Sequence, residues 1–159
     1  MSVGPIEDLG PWAEEALEKI DGRPCVVSVS GGKDSTATCL LLMEAGIPFQ
    51  AIHMDTGWEH KVTESYVREY LPGIIGPIRI LRGKHGGMEE LVKAKGMFPS
   101  RLRRFCTQEL KVFPQQEHFK GLQMQGEDPI SVVGVRGGES RARANLPEWE
   151  HVTRGGDYD

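Results

Sequence analysis

The sequence predicts an α/β protein built on an open, mostly parallel sheet with helices on both faces. Short runs rich in β-branched residues alternate with longer segments of helical periodicity, and glycine or proline separates them. This alternation is typical of right-handed crossover connections, which place parallel strands side by side. Three of the predicted strands also end in polar residues suited to phosphates or sugars, as expected at the ligand-binding edge of such a sheet.

The composition indicates a soluble globular protein of one domain, spanning residues 1–159. The 159 residues are 38% hydrophobic, which is enough for one core. No apolar run approaches the ~20 residues that span a membrane, the N-terminus lacks the features of a secretory signal, and three cysteines make no disulfide framework. We therefore expect a cytoplasmic protein with no membrane partner. The net charge of −4 argues against an extensive nucleic-acid-binding face but leaves room for a local basic pocket.

The first two predicted elements are an amphipathic helix over about residues 8–20 and a buried strand over residues 25–29. Apolar residues recur at helical spacing along the helix, and Gly22 ends it. The strand is short, apolar and rich in valine. Nothing on the helix suggests chemistry, so we expect it to serve packing.

The strand leads through Ser30-Gly31-Gly32-Lys33-Asp34-Ser35 into a helix that ends at Gly46. Free N–H groups and the positive end of the helix dipole make such a turn an anion site, to which Ser30, Ser35 and Lys33 add hydroxyls and a cation. The turn is neither a Walker A loop nor a dinucleotide fingerprint, because the glycine spacing differs and Asp34 follows the lysine. It resembles the phosphate-binding loop of the PP-loop ATP pyrophosphatases. The helical pattern of this segment comes from Ala37, Leu40, Leu41, Met43 and Ala45.

The later elements follow from the same patterns. They are a strand over 48–54, a helix over 60–71 ended by Pro72, a strand over 77–81, a helix over 88–95 and a fourth strand over 129–135. The second strand ends in Asp55-Thr56-Gly57 and the fourth in a segment rich in glycine and arginine, from Gly134 to Arg143. Side chains that follow parallel strands meet at one edge of the sheet, so we expect these segments to share a ligand crevice.

A basic stretch over residues 98–114 lies between the third and fourth strands. Four of the chain's 19 basic residues fall within eleven of these positions, together with Cys106. Arginines bind phosphates through paired donors. Cys106 is a nucleophile, a metal or cluster ligand, or a packed thiol. Three cysteines exclude an all-cysteine iron–sulfur site within one chain, and neighbouring arginines would favour reactivity of an exposed thiol. We favour the interpretation that Cys106 lines the site over the interpretation that it is a catalytic nucleophile.

Four motifs occur in a specific order along the chain: Ser30–Ser35; Asp55-Thr56-Gly57; Arg104-x-Cys106-Thr107 with Leu110-Lys111 and Pro114; and Gly134-x-Arg136 with Glu139-Ser140-x-x-Arg143. This order resembles the phosphoadenosine phosphosulfate (PAPS) reductase family, within the adenine-nucleotide α-hydrolase-like fold. By this resemblance, the nucleotide phosphates would be held by Ser30, Gly31, Gly32, Lys33, Asp34 and Ser35. The adenosine would be lined by Asp55, Thr56 and Gly57. Further phosphate or sulfate oxygens would be bound by Arg104, Lys111, Arg136, Ser140 and Arg143, with Cys106 and Gly134 lining the same site.

The chain also departs from this family. It has no cysteine after Cys106, whereas the resemblance to true reductases would require a C-terminal tail with a reactive cysteine. We therefore expect a minimal version of the domain or one that lacks a C-terminal extension.

Three functions are consistent with these features. The first is an enzyme that binds ATP and Mg²⁺, transfers the adenylyl group to an unknown acceptor and releases pyrophosphate, with Lys33 and Arg136 stabilising charge and Asp34 holding the metal. The second is thiol chemistry on bound PAPS, as in sulfonucleotide reductases. The third is a non-catalytic nucleotide-binding subunit, whose partner would be another protein or a second copy of the chain.

Overall fold

The computed structural model describes residues 11–151. The strands are β1 (Cys25–Ser28), β2 (Phe49–Met54), β3 (Ile78–Leu81) and β4 (Ile130–Val132). The helices are α1 (Pro11–Ile20), α2 (Lys33–Glu44), α3 (Lys61–Ser65), α4 (Pro72–Ile75), α5 (Met88–Lys95), α6 (Phe105–Thr107), α7 (Phe113–Met124) and α8 (Arg141–Ala144). Residues 8–10 of the predicted first helix lie outside the described residues. No helix within the described range is long and apolar enough to cross a membrane.

The four strands form one parallel sheet in the order β3-β2-β1-β4. The chain therefore adds β2 and then β3 on one side of β1, and returns to add β4 on the other side. Because all strands are parallel, their carboxyl ends lie at the same edge of the sheet. The predicted fold class, an open parallel α/β sheet, is confirmed.

Both faces of the sheet carry helices. One face holds Val27 and Val29 in a core that also contains Ala13 of α1, Cys39 of α2 and Leu71. The opposite face is covered by α7. There, His118 Nε2 lies 2.7 Å from Gln50 Oε1, and Gln115 Nε2 donates to Ser131 Oγ at 3.2 Å. Gln50 and Ser131 are both in register with Val26, whose side chain points away from that of Val27.

Two prolines do not end their helices as a simple pattern would suggest. The predicted helix over 60–71 continues beyond Pro72 into α4, through a π-helical turn at Tyr66–Tyr70 in which Leu71 N donates to Tyr66 O at 2.8 Å. A second π-helical turn, Gln108–Val112, precedes Pro114 in α7 in the same way. In both cases the proline falls in the first turn of the next helical segment, where its missing N–H is not needed.

The apolar pattern of α2 does not coincide with its buried face. Its buried residues are Ser35, Cys39 and Leu42, whereas Leu40, Leu41 and Met43 are 43%, 37% and 40% exposed. Apolar residues occur on almost every side of this helix, so periodicity alone does not choose a face. The rotation of the helix is instead set by Ser35, whose hydroxyl is bound within the preceding loop.

The His118 contact should make stability depend on pH. Burial, with a contribution from the positive charge of Arg79, lowers the pKa of His118. The unfolded chain then binds this proton more tightly, so the free energy of unfolding should fall as the pH drops through about 6.5. Urea unfolding above and below that pH would measure the effect. His118→Gln should reduce the dependence, whereas His151→Gln, at an exposed position, should not. An unchanged dependence in His118→Gln would contradict this assignment.

Candidate functional site

The candidate site lies where the strand order of the sheet reverses. The chain leaves β1 toward β2 on one side, while β4 lies on the other side of β1. Connections that depart in opposite directions open a crevice at the carboxyl ends of two such strands. The loop at residues 30–35 follows β1, and the segment from Gly134 follows β4, so these two sets of predicted residues flank that crevice.

The loop at residues 30–35 is shaped by its own two serines. Ser30 N donates to Ser35 Oγ at 3.2 Å, and Ser35 Oγ donates to Gly32 O at 3.0 Å. Gly32 N donates to Ser30 Oγ at 3.3 Å, and the two hydroxyl oxygens are 3.2 Å apart. Ser35 is buried. The two hydroxyls therefore hold the turn in shape, a role that the sequence alone did not indicate.

The first turn of α2 presents unpaired donors to the crevice. Gly32 is its N-cap and provides no side-chain cap. In the described part of the chain, the N–H groups of Gly31, Lys33, Asp34 and Ser35 have no acceptor. The Lys33 side chain is exposed and forms no ion pair with any residue in 11–151. Donors left free in this way at a helix N-terminus fit an anionic ligand.

Gly31 must be glycine for two reasons. Its φ is +80°, a left-handed value that other residues rarely adopt. A Cβ at this position would also lie 2.7 Å from Val67 Cγ2 and 3.0 Å from Thr63 Cγ2. The loop therefore packs directly on α3 and the π-helical turn that follows it.

Gly134 brings the end of β4 into contact with α2. A Cβ on Gly134 would lie 2.7 Å from both Asp34 O and Thr38 Oγ1. The chain stops pairing with β1 at Val132, so β4 is shorter than the predicted strand over 129–135. A glycine is therefore required at position 134 because the backbone there packs closely against α2.

Opposite charges link the two sides of the crevice. Arg136 Nε donates to Asp34 Oδ2 at 3.1 Å, and Arg136 Nη2 donates to Glu139 Oε1 at 3.2 Å. Glu139 also pairs with Arg143, and Ser140 Oγ accepts from Arg143 N at 3.2 Å. The predicted residues Asp34, Arg136, Ser140 and Arg143 are therefore brought together. Glu139 lies at the centre of this network; it belongs to the fourth motif, although no binding role was predicted for it.

Asp55 is fixed by two arginines at the end of β2. Its Oδ2 accepts from Arg82 Nε and Nη2, at 2.9 and 2.8 Å, and from Arg68. Its Oδ1 accepts from Gly57 N at 3.0 Å. Burial by itself raises the pKa of this carboxyl, but the hydrogen bonds from Arg82 and Gly57 and the two positive charges outweigh it and hold the pKa below its ordinary value. All of these contacts are internal, so Asp55 orders the loop that it begins.

Thr56 and Gly57 are held in the same loop. Thr56 Oγ1 donates to Glu59 Oε1 at 2.6 Å, and Thr56 O accepts from Met88 N at 2.7 Å. A Cβ on Gly57 would lie 3.2 Å from Gly87 Cα. The loop after β2 is therefore braced against the start of α5, and Gly57 is the exposed member of the predicted trio.

Sequence reasoning missed both arginines that hold Asp55. Arg82 directly follows β3, as Asp55 follows β2, and the two strands are neighbours. Opposite charges after adjacent parallel strands would have been a usable signal. Arg68 gave no such signal, because it reaches Asp55 from the π-helical turn after α3.

The predicted residues Arg104, Cys106 and Lys111 lie apart from this network. Within residues 11–151, no hydrogen bond or ion pair joins them to the loop at 30–35. Arg104 and Lys111 are exposed and Cys106 is half-buried. The other two thiols are buried, and burial raises the pKa of Cys25 and raises that of Cys39 to about 11. Cys106 is the accessible thiol of the chain.

Asp34, the predicted metal ligand, suits a metal ion that takes most of its other ligands from water and a bound substrate. No group of three or more histidine, cysteine or acidic side chains suited to a metal occurs within the described range. Asp34 therefore offers a single carboxylate, whose side chain is 29% exposed. This donor set matches Mg²⁺, which in phosphate-binding sites takes one or two carboxylates and completes its shell with water and phosphate oxygens.

Comparisons with known proteins identify the family and the fold of this chain. A family model described as a phosphoadenosine phosphosulfate reductase domain matches residues 24–155. An uncharacterized 37.8 kDa protein of Escherichia phage 186 is 33% identical over 79% of this chain and 51% of its own length. An uncharacterized protein of Methanocaldococcus jannaschii is 34% identical over 84% of this chain and 27% of its own length. This chain thus spans about half or less of the curated relatives that it matches.

Among solved structures, the phosphoadenylyl-sulfate reductase of Candida auris, crystallised as a phosphate complex, has a similar fold. The TM-score is 0.57 at 19% identity, and the match covers 84% of this chain and 69% of that one. At this level of identity the likeness concerns the fold.

Replacement of Gly134 should loosen the crevice. Gly134→Ala places a Cβ against the backbone of α2, and overpacking of this kind costs about 1–3 kcal/mol. Gly138→Ala is the matched control, because a Cβ there meets nothing within 4 Å, and it should change stability by less than about 0.5 kcal/mol. Urea unfolding would compare the two variants. Equal stability of the two variants would show that Gly134 does not pack closely against α2.

Removal of the Asp55 charge should also destabilise the fold. Asp55→Asn leaves Arg68 and Arg82 without their carboxylate, and we expect a loss of about 1–3 kcal/mol in the free energy of unfolding. Asp128→Asn removes a carboxylate that is 77% exposed and pairs with Arg23 at 3.4 Å. This control should cost less than about 1 kcal/mol. A loss no greater than that of the control would contradict a structural role for Asp55.

Proposed function

Because this chain belongs to the phosphoadenosine phosphosulfate reductase family, we propose that it is an enzyme that binds an adenine nucleotide and cleaves ATP between the α and β phosphates. The acceptor would receive the adenylyl group, and pyrophosphate would be released. Family membership supports the nucleotide-binding part of this proposal. The reaction itself is inferred from the side chains around the crevice.

One observation carries the proposal. The N-terminus of α2 combines the free N–H groups of Gly31, Lys33, Asp34 and Ser35 with the exposed ammonium group of Lys33, within residues 11–151. A purely structural turn has no need of an uncapped N-terminus with a cation beside it, because a side-chain cap would stabilise the helix. Pyrophosphate, with several negative oxygens close together, is the kind of ligand that satisfies these donors.

The reaction would proceed by substitution at phosphorus. An acceptor oxygen would form a bond to the α-phosphorus as the bond from that phosphorus to the bridging oxygen breaks, and pyrophosphate would leave with the electron pair. Lys33 and the loop N–H groups would stabilise the negative charge that develops on the leaving group. Arg136 is held at the same crevice by Asp34 and Glu139, so it is positioned to bind a further phosphate oxygen.

A magnesium ion would neutralise charge on the phosphates when bound. Asp34 is the carboxylate of the crevice that would hold it. Asp34 Oδ2 accepts from Arg136 Nε at 3.1 Å, so Arg136 would hold this carboxylate in place for the metal.

A second candidate function rests on Cys106. It is the accessible thiol, and it lies beside Arg104 at the start of α6. In a reaction like that of the sulfonucleotide reductases, the Cys106 thiolate would attack the sulfur of PAPS. The sulfur–oxygen bond would break, adenosine 3′,5′-bisphosphate would leave, and the cysteine would carry the sulfonate group. A thiol from a partner protein would have to complete the reduction.

A third candidate is a nucleotide-binding subunit that requires a partner. It is favoured by the share of each curated relative that this chain spans, about half or less. In this case the crevice would bind nucleotide, and residues supplied by another chain would complete the catalytic groups.

Calorimetric titration would test the proposal. We expect ATP with Mg²⁺ to bind more tightly than adenosine 3′,5′-bisphosphate, and Lys33→Ala to weaken ATP binding about 10- to 100-fold through loss of a charged hydrogen bond. Lys120→Ala, at an exposed position on α7, is the matched control and should leave affinity unchanged.

Other outcomes would separate the candidates. Preference for the bisphosphate would favour the thiol reaction, which Cys106→Ser should then abolish. Failure of both nucleotides to bind would overturn the assignment of the loop at 30–35 as an autonomous nucleotide site. Binding of ATP without turnover in any tested reaction would favour the subunit function.

A further inference from the structure

A second exposed surface lies on the segment Met97–Arg104, which we call the arginine segment. It follows α5 and contains no helix or strand. Its shape is set by a tight turn in which Ser100 and Arg103 exchange two backbone hydrogen bonds, each of 3.1 Å. It continues into α6 and the π-helical turn at Gln108–Val112.

The positive charge of this segment is not neutralised within the described residues. Arg101, Arg103 and Arg104 are exposed, and none forms an ion pair with residues 11–151. The nearest acidic side chain along the chain, Glu109, is already bound by Lys95 at 2.7 Å, with His85 at 3.9 Å. Three unpaired arginines on a chain of net charge −4 mark a surface for an anionic partner.

The same segment exposes apolar side chains. Phe98 is 73% exposed, Leu102 is 94% exposed and Met97 is 41% exposed. A charged surface that only faces water has no need of these residues. Arginine next to exposed aromatic and aliphatic groups is instead the composition of a binding surface.

The segment is located at the same edge of the sheet as the candidate site. Gly83 follows β3 and is buried, and a Cβ there would collide with the carbonyl group of Glu109. The helical turn that follows the arginine segment is therefore seated on the carboxyl end of β3. The loop at residues 30–35 follows β1 at that edge.

We propose that the arginine segment binds a single-stranded nucleic acid. Each nucleotide of a single strand offers one phosphate, which suits an arginine, and one flat apolar base, which can stack on Phe98 or cover Leu102. A duplex hides its bases and is read by helices or strands that enter a groove, whereas this segment is irregular. An acidic polypeptide would satisfy the arginines but offers no regular series of flat apolar groups. This surface is separate from the loop at 30–35 and does not depend on the proposed reaction.

Fluorescence anisotropy with a short fluorescein-labelled oligothymidylate would test this inference, in the absence of ATP. We expect Arg101→Gln combined with Arg103→Gln to lower the slope of log affinity against log salt by about 1.4, because two phosphate contacts are lost. Phe98→Ala should weaken binding about 5- to 100-fold, through loss of stacking, with little change in slope. Lys120→Gln, on α7, controls for a general loss of positive charge.

The inference would be overturned by no binding of the oligonucleotide at low salt, by equal binding of a duplex of the same length, or by equal competition by poly-glutamate. Equal effects of Lys120→Gln and of the double arginine variant would also overturn it, because binding would then be non-specific. The double variant should keep the calorimetric affinity for ATP with Mg²⁺. Failure here would therefore leave the proposed function intact, and failure of ATP binding would leave this surface intact.

Discussion

The candidate site depends on the pairing of β1 with β4. This pairing brings two distant parts of the chain, residues 25–28 and 130–132, next to each other at one edge of the sheet. Only with β4 in this position can Gly134 pack on the first turn of α2 and Arg136 reach Asp34. The loop at residues 30–35 would otherwise be an isolated helix N-terminus. Paired with β4, it forms one wall of a crevice with charged side chains on the other.

Two charge clusters at the carboxyl edge of the sheet are ordered by contacts within the protein. Arg136 is held between Asp34 and Glu139, and the Asp55 carboxylate is held between Arg68 and Arg82. Side chains that are already ordered lose less conformational entropy when they bind a ligand. The two clusters differ in their use of the carboxylate. Asp55 is buried and turned to internal contacts, whereas Asp34 is partly exposed and retains an oxygen for another partner.

The sequence was sufficient to predict the parallel sheet, its four strands and the turn before α2, because each depends on local composition and on periodicity. It did not predict α7, whose apolar residues do not form a clear stripe, or the buried face of α2, which is rotated by hydrogen bonds of Ser35. The continuation of the helix past Pro72 depends on a π-helical turn that has no simple sequence signature. The contact of Arg68 with Asp55 arises from tertiary packing, which spacing rules do not address. Glu139 instead pairs with Arg136 and Arg143 at i,i+3 and i,i+4 spacing, a signal that was present in the sequence.

The shortness of β4 has a consequence for the dynamics of the protein. It pairs with β1 through three residue pairs, whereas β1 and β2 share four, and no strand within residues 11–151 pairs with its outer side. Backbone amides in a short edge strand exchange with solvent through local opening that costs less than global unfolding. Each such opening would separate Arg136 from Asp34 and would remove the side of the crevice that β4 forms. A ligand that contacts both walls would therefore stabilise the pairing of β4 with β1. Its binding would slow the exchange of the backbone amides along β4.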